Sequence, residues 1–138
     1  RYAFEPGEGV EVRVTIEFDD ARLARDAAWR GDPQDFMERI APARTFAFID
    51  EIPELLGDSL ARGAAPESVV VIAEEIHAQG GFLPDEPARH KLLDLLGDAY
   101  LYGGPPRGFM HVTRPGHARN HRAFRRALDE SILQLVVS

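Results

Sequence analysis

The clearest pattern in the chain is a strict alternation of apolar and polar residues over 10–18, Val-Glu-Val-Arg-Val-Thr-Ile-Glu-Phe. Successive side chains of a strand point to opposite faces, so this pattern predicts a strand with one buried face. Two further runs, 45–49 and 68–73, are rich in β-branched or aromatic residues and also predict strands. The run 108–113 predicts a last strand, placed just before a basic segment.

Helices are predicted where capping residues precede longer periodic segments. Asp32 and the proline after it predict a short helix that ends near residue 41. A second helix is expected over 50–62, with a glycine stop at position 63. A third begins near Asp85 and ends before the Gly-Gly-Pro-Pro sequence at 103–106. A fourth, basic helix is predicted from 116 to about 130.

These elements predict an α+β fold, because strands and helices mix without strict alternation. We expect a two-layer sandwich in which helices back one face of a mixed sheet. The segment 45–73 has the order strand, helix, strand and predicts a small βαβ insert. The length of 138 residues predicts a single domain over 1–138. The first residue is Arg1 and not methionine, which suggests a fragment or a processed product.

Composition and charge exclude some classes of function. The net charge of −7 argues against nucleic-acid binding, and no apolar run predicts a transmembrane segment. The absence of cysteine leaves only His, Asp and Glu as metal ligands and fits a cytoplasmic protein. The interval between Asp98 and Asp129 holds six arginines, three histidines and no acidic residue. It predicts either a site for an anionic ligand or a basic helix face that balances acidic neighbours.

The segment 89–98, Arg-His-Lys-Leu-Leu-Asp-Leu-Leu-Gly-Asp, carries the most specific chemistry. In a helix, His90, Asp94 and Asp98 lie at steps of four and form one polar stripe. A histidine and a carboxylate one turn apart can bind the same divalent metal ion, although they can also form an ordinary surface pair. A catalytic zinc ion usually takes three protein ligands, so a third would have to come from elsewhere.

Three other residues could take part in chemistry. His117 follows Gly116 at a loop-to-helix junction, where a carboxylate partner such as Asp98 would suit it to general acid catalysis. The Thr45 hydroxyl could donate to an oxyanion, and Lys91 could hold a phosphate. Each also has an ordinary interpretation: a histidine without a role, a strand threonine and a solvated lysine.

Three strings together resemble a known family: Ala43-Arg-Thr-Phe-Ala-Phe48, Arg89 to Asp98 and Gly116-His-Ala-Arg-Asn120. Their order and spacing resemble the zinc-dependent UDP-3-O-acyl-N-acetylglucosamine deacetylases of lipid A biosynthesis, over most of the chain. The family enzyme has two similar α+β domains with the active site between them. This chain resembles the second, C-terminal domain.

The resemblance implies roles for the candidate residues. His90 and Asp94 would be two of three zinc ligands. His117, positioned by Asp98, would protonate the leaving amine, and Thr45 would stabilise the tetrahedral oxyanion. The third zinc ligand and the general base would come from an N-terminal domain or a partner chain, and we therefore expect this chain alone to show no turnover with zinc.

The resemblance also implies a UDP-sugar acyl substrate. Lys91, Phe46 and Arg114 would contact this substrate, and the insert at 45–73 would form a passage for its acyl chain. Family members usually have Lys-Ser where this chain has Arg114-Pro115, a change that keeps the positive charge. The alternative is a non-catalytic module that binds a nucleotide-sugar or another anion through Lys91, Arg114 and Arg119.

Overall fold

The structure is a computed structural model of the chain, and it describes residues 1–48 and 68–136. The strands are β1 (Tyr2–Glu5), β2 (Val10–Thr15), β3 (Asp26–Trp29), β4 (Thr45–Phe48), β5 (Val69–Ile72), β6 (Ile76–His77) and β7 (Gly108–Thr113). The helices are α1 (Pro33–Asp35), which continues into a π-helical turn (Phe36–Ile40), α2 (Glu86–Tyr100) and α3 (His117–Asp129).

Four strands form a mixed sheet in the order β1-β7-β2-β3. The central pair, β7 and β2, is parallel, and both edge strands are antiparallel to their neighbours. Val12 lies opposite Met110 and Val14 opposite Val112, and all four side chains are fully buried. The alternation read from the sequence therefore marks the core-facing side of β2. The strand ends at Thr15, three residues before the predicted end at residue 18.

Helices α2 and α3 cover the buried face of this sheet. Leu92, Leu95 and Leu96 of α2 are buried above β2 and β3, and α3 packs beside α2. Phe124 of α3 is buried and contacts the ring of Phe4 on β1. Burial of each large apolar side chain stabilises the fold by about 1.5–3 kcal/mol. The prediction of an α+β fold with helices backing a mixed sheet is confirmed.

A second, three-stranded sheet has the order β4-β5-β6. Strands β4 and β5 pair in parallel, with Thr45 opposite Val69. The helix predicted over 50–62, with its glycine stop, falls in 49–67 and lies outside the described residues. Both predicted strands of the insert are present, whereas the bounds of the insert as a unit stay a prediction.

The short helix α1 is capped at its N-terminus as predicted. The Asp32 carboxylate accepts a hydrogen bond from the backbone N–H of Gln34 at 3.0 Å, and Pro33 occupies the first turn. Among the described residues, no helix is both long enough and apolar enough to cross a membrane.

Candidate metal and acid–base site

His90 and Asp94 lie one turn apart on α2 and leave a gap between their side chains. His90 Nδ1 is 2.9 Å from the carbonyl oxygen of Ala43. A carbonyl oxygen only accepts hydrogen bonds, so Nδ1 carries a proton, and in the neutral imidazole Nε2 then presents a lone pair. That Nε2 atom is 3.6 Å from Asp94 Oδ2. In the described part of the chain, the Asp94 carboxylate accepts no hydrogen bond.

This pair fits a zinc ion. Bonds of about 2.0–2.2 Å to a tetrahedral zinc place two ligand atoms about 3.3–3.6 Å apart, and the His90–Asp94 separation lies at the upper end of that range. A histidine ligand usually donates its other ring N–H to a carbonyl or carboxylate, as His90 does to Ala43. Within 1–48 and 68–136, no group of three or more His, Asp and Glu side chains is arranged to hold a metal ion.

Asp98, one turn beyond Asp94, is buried and surrounded by donors. Its Oδ2 atom lies 2.8 Å from His117 Nδ1 and accepts a hydrogen bond from Asn120 Nδ2 at 2.9 Å. Its other oxygen faces His121 Nε2 at 3.7 Å. The Oδ2 atom of Asp98 is therefore occupied by two hydrogen bonds, whereas the Asp94 carboxylate accepts none from the described residues. The stripe predicted from the sequence therefore divides into an open pair and a hydrogen-bonded carboxylate.

His117 links the two parts of the stripe. Its Nδ1 is held by Asp98, whereas its Nε2 is 4.0 Å from Asp94 Oδ2 and the side chain is 67% exposed. A group held at one nitrogen and accessible at the other can exchange a proton with a bound molecule. The structure thus brings together the four residues His90, Asp94, Asp98 and His117.

Thr45 and Phe46 begin β4 beside this group, directly after the segment whose carbonyl binds His90. Thr45 is exposed, and its hydroxyl is therefore accessible to a ligand. The Lys91 ammonium lies 5.9 Å from the centre of the Phe46 ring, within the range of a cation–π contact. Lys91 and Phe46, both predicted to contact substrate, thus lie next to each other.

An ion pair that the sequence analysis missed fixes β4 against α2. The Arg44 guanidinium donates to both carboxylate oxygens of Glu86, at 2.7 and 2.9 Å, and to the carbonyls of Gln79 and Gly81. Burial acts to raise the pKa of Glu86, but the hydrogen bonds from Arg44 outweigh it and hold that pKa below its ordinary value. This pair sets the position of Thr45, the next residue of the strand.

Asn120 was also missed as a member of the site. It is fully buried in the first turn of α3, three residues after His117, and contacts the same carboxylate oxygen. Residues three apart share one face of a helix, so the spacing of His and Asn was the available signal.

Arg114, predicted to hold phosphate, pairs with a carboxylate in this structure. Its Nε donates to Glu17 Oε2 at 2.8 Å, and its Nη2 also binds that oxygen. The residue adopts a φ of 56°, in the left-handed region. Arg119 Nη1 donates to the backbone carbonyl of Arg114 at 3.2 Å. Both arginines lie at the start of α3, near His117, while Arg114 is already neutralised by Glu17.

A His–carboxylate pair open to a cation, beside a histidine held by a buried carboxylate, defines the class of site that metal-dependent hydrolases build. The chain belongs to the UDP-3-O-acyl N-acetylglycosamine deacetylase family, whose model matches residues 1–129. The resemblance stated from the three strings is confirmed.

Curated relatives give the same family. The chain is 39% identical over 136 residues to the UDP-3-O-acyl-N-acetylglucosamine deacetylase of Myxococcus xanthus, a match that covers 95% of this chain and 43% of the relative. It is 35% identical over 130 residues to the enzyme of that name from Psychrobacter cryohalolentis, covering 91% and 41%. A bifunctional enzyme LpxC/FabZ from Bacteroides thetaiotaomicron is 30% identical, covering 91% and 33%. The chain therefore spans less than half the length of these relatives.

Proposed function

We propose that this chain forms the half of a UDP-3-O-acyl-N-acetylglucosamine deacetylase that contributes two zinc ligands and the catalytic acid, in lipid A biosynthesis. The observation that carries the proposal is the division of the α2 stripe. His90 and Asp94 are open toward a cation, while Asp98 is turned to His117. The names of the relatives support the reaction, and the family match supports the assignment of the motifs.

Zinc would be held by His90 Nε2 and the Asp94 carboxylate. The chemistry that zinc supplies when bound is polarisation of the amide carbonyl and a lowered pKa of water. A third ligand and a general base would come from an N-terminal domain or a partner chain. We also propose a cytoplasmic location, which a chain without cysteine fits.

His117 would act as the general acid. Water adds to the acetyl carbon, and the C–N bond then breaks as the leaving nitrogen takes the proton from Nε2 of the His117 imidazolium. Acetate and the free amine of the sugar result, and His117 is left neutral, with its proton on Nδ1 and hydrogen-bonded to Asp98. The Thr45 hydroxyl would donate to the oxyanion that forms in between.

Substrate recognition would use the residues around β4 and the start of α3. Lys91 and Arg114 would contact the phosphate-bearing part of a UDP-sugar, with Phe46 packed beside Lys91. For Arg114 this contact requires exchange of Glu17 for phosphate. The insert at 45–73 would form the passage for the acyl chain.

Steady-state kinetics on the complete protein test the proposal. We expect release of acetate from UDP-3-O-acyl-N-acetylglucosamine, and a loss of at least about a hundredfold in kcat for His117→Ala. His111→Asn is the matched control, because His111 lies on β7 and bonds to Thr15 instead of the α2 stripe. The 138-residue chain alone with zinc should show no turnover.

Two outcomes contradict the proposal. One is a complete protein that binds the nucleotide-sugar without hydrolysing it, which would favour the non-catalytic module. The other is equal activity in His117→Ala and His111→Asn.

A further inference from the structure

Asn120 is a buried polar side chain whose partners all belong to the acid–base part of the site or to β1. Its Nδ2 donates to Asp98 Oδ2 at 2.9 Å, and its Oδ1 accepts from the hydroxyl of Tyr2 and, at 3.4 Å, from the backbone N–H of Gly116. Its side chain is fully buried. A buried amide is costly unless both of its ends are paired, and here both are.

The partners fix which way the amide points. Gly116 N–H can only donate, and the neighbouring phenol also donates. Burial raises the pKa of Tyr2 to about 12, so the phenol keeps its proton at physiological pH. Because the backbone N–H of Gly116 can only donate and a carboxylate can only accept, the oxygen of Asn120 faces Gly116 and Tyr2, and its NH₂ group faces Asp98.

This orientation has a consequence for Asp98. The oxygen bound by Asn120 is the same oxygen that faces His117 Nδ1. Without the amide, the carboxylate could rotate toward His121, which faces its other oxygen at 3.7 Å and is itself bound to Tyr102 at 2.9 Å. The amide thus opposes a specific alternative arrangement of the carboxylate.

We propose that Asn120 is a positioning residue that holds Asp98 Oδ2 on His117 Nδ1 and thereby keeps the His117 proton on Nδ1. The proposal deepens the proposed function, since it assigns support to the group proposed as general acid. Asn120 acts through Asp98 and does not touch the reacting atoms. A purely structural role would change stability alone and leave the His117 tautomer as it is.

The test is ¹⁵N NMR of the histidine rings in the full 138-residue chain, without zinc or substrate, at about pH 9, where imidazoles of ordinary pKa are neutral. In the unmodified chain we expect His117 to be protonated mainly on Nδ1. In Asn120→Ala, the fraction protonated on Nε2 should rise by roughly threefold or more, because Asp98 loses the donor that fixes it. Tyr2→Phe should also raise the fraction of His117 that is protonated on Nε2, but by less than Asn120→Ala does.

His90 is the internal control. Its Nδ1 is held by Ala43, away from Asn120, so its signals should stay unchanged in both variants. An unchanged His117 tautomer in a folded Asn120→Ala would overturn the proposal. If Asn120→Ala also disturbs His90 and so reports loss of the fold, Tyr2→Phe decides: a shift at His117 supports the proposal and no shift overturns it.

The two proposals can fail separately. The NMR experiment contains no substrate and no metal, so a shift in tautomer stands even if the complete protein hydrolyses nothing. Conversely, hydrolysis that depends on His117 stands even if Asn120 has no effect on its tautomer.

Discussion

Helix α2 is anchored at its two ends and open in the middle. At its start, Glu86 is buried and bound by Arg44, and Arg89 donates to the Arg39 carbonyl at 2.8 Å. Near its end, Asp98 is held by the first turn of α3. Between these ends, neither the Asp94 carboxylate nor His90 Nε2 has a hydrogen bond to the described part of the chain.

The difference follows from what each group has to do. A group that binds a ligand must keep an unpaired lone pair, whereas a group that positions others must have its hydrogen bonds satisfied. Burial strengthens the hydrogen bonds of a positioning group, so removing one of them lowers the free energy of unfolding more than it would at the surface. Asp94 and Asp98 are the same residue type on the same stripe, so substitutions at the two positions compare these roles directly.

Stability gives the largest expected contrast. Asp98→Ala leaves the buried amide of Asn120 without its acceptor and should lower the free energy of unfolding by about 3 kcal/mol. Asp94→Ala removes a carboxylate that accepts no hydrogen bond from residues 1–48 and 68–136, and it should change the free energy of unfolding by less than about 0.5 kcal/mol. Urea denaturation of both variants measures this contrast. Equal costs would mean that the two carboxylates do not differ in structural role.

Metal affinity should show the opposite order. In the complete protein, Asp94→Asn should weaken zinc binding by at least about a hundredfold, because it removes a ligand charge, and Asp98→Asn by less than about tenfold. Calorimetric titration with zinc at fixed pH measures both. Equal losses at the two positions would show that the carboxylates share the metal, against the division of the stripe.

The sequence was sufficient to predict the stripe and the strands β2, β4, β5 and β7, because each rests on local periodicity or composition. It did not reveal β1 or β3. Strand β3, Asp-Ala-Ala-Trp, has no β-branched residue, and β1 pairs with β7, more than a hundred positions away. Non-local pairing of this kind leaves no local signal.

Separation along the sequence also explains why the contacts of Arg44 and Asn120 were not predicted. Arg44 and Glu86 are 42 positions apart, and Asn120 reaches Asp98 across 22. Nothing in either neighbourhood marks these residues as partners. The division between Asp94 and Asp98 also depends on distant donors, so spacing alone could predict one stripe but not its two roles.

The anchor at the start of α2 should make stability sensitive to acid. Because the folded pKa of Glu86 lies below its ordinary value of 4.5, its contribution is present above about pH 4.5 and is lost as the pH falls through the folded pKa. Glu86→Gln should cost about 2 kcal/mol at neutral pH and less in acid. Urea denaturation midpoints of the variant and the unmodified chain, measured at neutral pH and in acid, give the cost of Glu86→Gln under each condition.

Asp35→Asn is the matched control for this acid effect. The hydrogen bonds from Arg39 also lower the pKa of Asp35, but the pair is partly exposed and is screened by water. Its substitution should therefore change the acid sensitivity less than Glu86→Gln does. The reverse order would show that burial is not what makes the anchor strong.

The smallest effect is expected at the pair of Arg114 and Glu17. It resembles the pair of Arg44 and Glu86 in having two guanidinium nitrogens on a carboxylate, but its side chains are 64% and 48% exposed, against 19% and 9%. Arg114→Gln should change the free energy of unfolding by less than about 0.5 kcal/mol, because water screens an exposed pair.

If Arg114 also binds phosphate, the same variant of the complete protein should raise KM for the UDP-sugar several-fold with little change in kcat. A large loss of stability in Arg114→Gln would show that this pair anchors α3 as Glu86 anchors α2, and an unchanged KM would remove Arg114 from the proposed substrate contacts.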